Sequence, residues 1–99
     1  MLIIKHMNIL YTIIKFRDDR GWKNNDRPEN LAKSIIIEAA ELLENYQWGP
    51  EHADLVNVKE ELADVMIYSI AMAYDLGFDI EEMIHEKLEK NNEKYPAKK

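Results

Sequence analysis

The stretch Ile35-Ile36-Ile37-Glu38-Ala39-Ala40-Glu41-Leu42-Leu43-Glu44 decides the fold, because it plants carboxylates three residues apart inside a strongly apolar run. On a helix turning about 100° per residue, Leu31, Ile35, Ala39, Leu42 and Tyr46 share one face and Glu38 and Glu41 lie along its edge. The pattern returns as Glu61-Leu62-Ala63-Asp64-Val65, with Val58, Leu62, Val65, Met72 and Leu76 on the apolar side of a second helix. Two acidic pairs then face one interior. Carboxylates that converge there repel one another and lose hydration, at several kcal/mol per ion, unless protons or a cation neutralise them. A divalent metal is the economical answer.

Working outward, the chain reads as helical throughout. From about His6 to Asp19, Ile9, Leu10, Ile13, Ile14 and Phe16 recur at helical spacing, and this first helix ends near Gly21. Trp22 to Arg27 is a loop by composition, and Pro28 fits the first turn of helix two, with Asp26 or Arg27 at its start. Helix two runs to about Gln47 and is stopped by Gly49-Pro50. Helix three starts around Asp54 and Asn57 and ends at Gly77 as a left-handed cap. Asp79 and Glu82 are spaced as a capping box for helix four, which ends at Tyr95-Pro96. The expectation is an all-α, four-helix bundle with short connections, one domain over residues 1–99.

Composition narrows the partners. The chain has 99 residues, 46% of them hydrophobic and 32% charged, a mixture that suits a folded protein. A net charge of −6 argues against a nucleic-acid polymer, which draws its affinity from clustered Lys and Arg, but allows a nucleotide bound through a metal. There is no cysteine, hence no disulfide framework and no thiolate metal site. The apolar start Met1-Leu2-Ile3-Ile4 is too short for a signal peptide, Met7 is an alternative start, and no run reaches the roughly 20 residues that span a bilayer. A cytoplasmic protein without membrane attachment is expected. A domain this small would also gain from self-association.

Glu38-x-x-Glu41 and Glu61-x-x-Asp64 offer oxygen ligands one turn apart, a donor set that selects Mg²⁺ or Mn²⁺ over zinc and leaves coordination positions for phosphate oxygens. One such pair alone is usually a solvated helix face; two, each embedded among Ile, Ala, Leu and Val, are harder to read that way. Lys87, Asn91 and Lys94 form a stripe on helix four that can meet phosphates, or else a solvated helix end. Tyr68, one turn past Asp64, can hydrogen-bond a sugar or be an ordinary half-buried tyrosine. Trp22 and Trp48 can stack on a base or cap a core. Glu82-x-x-His85 is half of a di-iron pattern whose second half is absent.

From Phe16 to Pro96 the ordered set Phe16-Arg17, Gly21-Trp22, Pro28-Glu29-Asn30-Leu31, Glu38-Ala39-Ala40-Glu41-Leu42 to Gln47-Trp48, Glu60-Glu61-Leu62-Ala63-Asp64-Val65 with Tyr68, and Lys87 with Asn91 and Tyr95-Pro96 resembles the MazG-like nucleoside triphosphate pyrophosphohydrolases, near their dCTP pyrophosphatase branch. The resemblance implies hydrolysis between the α and β phosphates to a monophosphate and pyrophosphate, in nucleotide-pool house-cleaning. It implies Glu38, Glu41, Glu61 and Asp64 as Mg²⁺ ligands, with Glu38 or Glu41 orienting or deprotonating the attacking water. Lys87 and Asn91 match phosphate-contacting positions; Trp22, Trp48 and Tyr68 match the base and sugar pocket. It implies a homodimer or homotetramer in which a neighbouring subunit completes the pocket. Relatives often carry His ahead of the Pro-x-Asn-Leu segment where this chain has Asp26, which leaves the base preference open. The alternative to an enzyme is a non-catalytic helical module that senses nucleotides or binds a partner.

Overall fold

The computed structural model describes residues 2–98, with side chains from residue 9 onward. Four helices follow in order: α1 (Leu2–Asp19), α2 (Pro28–Glu44), α3 (Leu55–Asp75) and α4 (Ile80–Lys94), and no strand occurs among the described residues. Short 3₁₀ turns, Trp22–Asn24 and Pro50–His52, sit in the first two connections. The expected all-α architecture is present.

Local chemistry explains the boundaries. Asp54 caps α3, its Oδ1 accepting from the amides of Val56 (3.0 Å) and Asn57 (3.4 Å), and Asp79 caps α4 through the amide of Glu82 at 2.9 Å. Gly77 takes φ 79° after α3, the left-handed conformation that the expected cap requires. Two boundaries differ from expectation. α1 begins at Leu2 rather than His6. α2 stops at Glu44 rather than Gln47, because the Asn45 amide donates back to the carbonyls of Glu41 (3.3 Å) and Leu42 (3.4 Å), closing the last turn. Of the two residues expected at the start of α2, Arg27 holds the capping position before Pro28, and it caps nothing with its side chain.

Packing is uneven. The α2–α3 pair is the heart of the molecule, α1 leans on α3, and among the described residues α4 touches α3 alone of the helices. Among the described residues the buried apolar positions are few: Leu31, Val58, Ala71 and Ala73. Ile36, Ile37, Leu43, Leu62, Met66 and Leu88, by contrast, lie exposed. No helix among the described residues is long and apolar enough to cross a membrane.

Candidate functional site

α2 and α3 pack so that the edge carrying Glu38 meets the edge carrying Glu61 and Asp64. One carboxylate oxygen from each of these three lies within 4.8 Å of the others, and all three side chains are half-buried. Oε2 of Glu61 is buried with no hydrogen-bond partner. Its carboxyl is pushed up to about 7, first because a proton shared with Glu38 is a hydrogen bond that ionisation would lose, then by burial, and then by Glu41 through both a hydrogen bond and its charge. Glu41 therefore belongs to the same electrostatic unit, although it stands exposed at the rim, outside the close triad. An oxygen-only donor set with an orphaned buried oxygen fits a hard divalent cation.

A side-chain clamp sets the register of the two helices. Asn57 Nδ2, one turn before Glu61, donates to Asn45 Oδ1 at 3.2 Å, and Asn45 in turn donates to the carbonyl of Glu41. The backbone turns on which the acids are mounted are thus tied together.

Beside the triad, between α1, the first 3₁₀ turn and α3, opens a cavity of about 380 Å³ walled by Phe16, Trp22, Ile67 and Tyr68, with Asp26 and Asp64 among its polar groups. Asp64 belongs to both the cavity and the triad. Phe16 and Trp22 meet edge to face at 5.7 Å, and the Arg20 guanidinium lies 3.5 Å over the Phe16 ring. Tyr68 bridges the two compartments electrically. Burial, then the charges of Glu38, Asp64 and Asp26, raise its phenol, so its hydroxyl stays a proton donor.

Behind the cavity Arg17 is buried, 4% exposed, and grips Asp75 bidentately, Nη1 to Oδ2 at 2.6 Å and Nη2 to Oδ1 at 2.7 Å. Sequence reasoning did not single out Arg17 or Asp75 for this role. The available signal was Arg17 continuing the apolar row Leu10, Ile13 and Ile14, where a cation is out of place; its partner, 58 residues away, obeys no spacing rule.

Of the residues expected in the site, the structure brings together Glu38, Glu61 and Asp64, with Glu41 at the rim and Trp22 and Tyr68 in the cavity. Trp48 is 76% exposed and does not line that cavity. Lys87 and Lys94 are exposed and Asn91 half-buried on α4, which makes no contact with α2 among the described residues, so that stripe is not joined to Glu38 there.

The profile of the MazG-like family matches residues 33–99. The chain belongs to the MazG-like family. The matched span holds the carboxylates and the α4 stripe, whereas Phe16, Arg17, Trp22 and Asp26 precede it. This MazG-like chain is 32% identical to human dCTP pyrophosphatase 1 over 92 residues, which cover 84% of the chain and 54% of that protein. The mouse dCTP pyrophosphatase 1 is 31% identical over the same extent. The chain thus spans about half the length of the curated relatives it matches, 54%. Among solved structures, a pyrophosphatase from Archaeoglobus fulgidus is similar with TM-score 0.82 and 38% identity, covering 98% of this chain and 94% of that one.

Proposed function

We propose that this chain is a single MazG-like domain that hydrolyses nucleoside triphosphates between the α and β phosphates, releasing the monophosphate and pyrophosphate, and that it works in the cytoplasm as a house-cleaning enzyme. The observation that carries this reading is the half-buried triad of Glu38, Glu61 and Asp64 opening at Asp64 into an aromatic-walled cavity, a cation seat adjoining a slot for a planar ring. The names of the relatives, dCTP pyrophosphatase and pyrophosphatase, point the same way.

Glu38, Glu61 and Asp64, with Glu41 reaching in from the rim, would hold Mg²⁺ or Mn²⁺. When bound, the ion neutralises phosphate charge and acidifies water. Glu38 and Glu41 are the groups suited to accept the proton of the attacking water; Glu41, exposed beyond the triad, has room for one. Phe16, Trp22 and Tyr68 seat the base and sugar, keeping the α phosphate against the acids.

Lys87, Asn91 and Lys94 meet the phosphates from a neighbouring subunit's α4. The surface supports this. The chain exposes 8495 Å², about 2,600 Å² more than a compact monomer of its mass, an excess on the scale of an obligate homo-oligomer.

The test is a panel of nucleoside triphosphates with Mg²⁺, read by pyrophosphate release. Cleavage that disappears in Glu61→Gln supports the reading. A panel left intact, with Glu41→Gln binding Mg²⁺ as the parent does, sinks it, and nucleotide binding without turnover would favour the non-catalytic module instead.

A further inference from the structure

Asp26 occupies an unusual position for an acid. Its side chain is only 25% exposed, it lines the ring-sized cavity beside Trp22, and it is not spent on capping α2, since Arg27 precedes Pro28. Arg17 Nη1 answers its charge from 3.8 Å, too far for a hydrogen bond, while the same guanidinium gives its two short bonds to Asp75. None of the side-chain hydrogen bonds of the described residues ends on Asp26. The carboxylate is thus charge-compensated, which makes its burial tolerable, yet its lone pairs stay vacant inside an aromatic slot.

We propose that Asp26 determines base specificity by accepting a hydrogen bond from an exocyclic amino group, so that the cavity takes cytosine or adenine in preference to uracil or hypoxanthine. This rests on the pyrophosphohydrolase reading above and deepens it. The chemistry is a matter of sign. An N–H of the amino group meets the vacant lone pairs, whereas the keto oxygen that replaces it in uracil or hypoxanthine turns its own lone pairs toward an anion, and the ring N–H beside it reaches Asp26 only if the base shifts in the slot. Phe16, Trp22 and Tyr68 give the ring its apolar contact whichever base is present, so they carry affinity and Asp26 carries the choice. The wall that bears Asp26 also lies ahead of the span matched by the family profile, residues 33–99.

Two pairs of triphosphates, dCTP with dUTP and dATP with dITP, have nearly the same shape and reverse the hydrogen bonding at one ring edge. Steady-state kcat/KM is measured for each in the parent and in Asp26→Asn, whose carboxamide can turn either an acceptor or a donor to the ring. In the parent the amino member of each cleaved pair should win by about tenfold or more, the worth of one hydrogen bond to a charged group. Asp26→Asn should bring each ratio to within about threefold. Equal cleavage of amino and keto members by the parent, or a preference that Asp26→Asn leaves unmoved, overturns the assignment. If the parent cleaves nothing, the catalytic reading has failed by itself, and calorimetric binding of dCMP against dUMP still decides the matter. Preference for dCMP that Asp26→Asn abolishes supports the assignment, and equal or no binding of the two overturns it.

Discussion

Glu61 carries the tension of the acidic triad. Its carboxyl is ordinarily near 4.5 and is pushed up to about 7, so the folded chain binds a proton that the unfolded chain gives up across that interval. The sign follows from linkage: stability is greatest below the lower value and declines as pH rises through the upper one. In the absence of divalent metal the melting temperature should therefore fall between about pH 4.5 and 7 by more in the parent than in Glu61→Gln. Thermal melts of both proteins in a chelator, over a pH series, check this. Equal slopes would show that the proton is not held by Glu61. Added Mg²⁺ should raise the parent's melting temperature most above pH 7, where no proton competes, and by about 2.7 kcal/mol of stability at a hundredfold excess over Kd.

At the scale of elements, two polar ties hold what apolar packing alone would leave loose. Arg17 and Asp75 fasten α1 to the end of α3 through a guanidinium that is 4% exposed. Arg17→Met should destabilise by about 3 kcal/mol, because it strands a largely buried carboxylate, and the double change Arg17→Met with Asp75→Leu should recover most of that. Urea unfolding of the three variants measures it. The Asn45–Asn57 tie acts differently: Asn57→Ala should cost only about 1 kcal/mol of stability, yet weaken Mg²⁺ binding in a calorimetric titration, since it frees the turn beneath Glu61 from the turn beneath Glu41.

The helices themselves were legible in the sequence. Apolar periodicity, Pro28, Asp54, Gly77 and Asp79 placed four of them, and two Glu/Asp pairs on apolar edges were enough to put Glu38 against Glu61 and Asp64. Asp26 stood out in the sequence only as a departure from the His that relatives often carry; its pairing with Arg17 was not legible, because an acid just ahead of a helix reads as a cap and no spacing rule brings Arg17 to it. The end of α2 was misplaced for a similar reason. Side-chain bonds from Asn45 to the carbonyls behind it leave no mark on hydrophobic spacing.

The whole molecule is too open for its size. Its radius of gyration is 16.1 Å, against about 13 Å for a compact chain of 100 residues. On α4, Ile84 and Leu88 lie 50% and 56% exposed, one turn apart on a face left uncovered by the described residues. If the copies associate through this face as proposed, replacing both by Asp should shift the particle to a smaller species in light scattering and lower pyrophosphate release with it; an unchanged mass would show that this face joins no copies. The sparse interior has a further consequence. Leu31 is the single large side chain among the described residues with less than 2% exposure, so in the homo-oligomer proposed above the folded form would draw much of its free energy from its neighbours. In such an assembly dilution would act on the chain as a denaturant does, and the number of copies in a cell would set how long each one lasts.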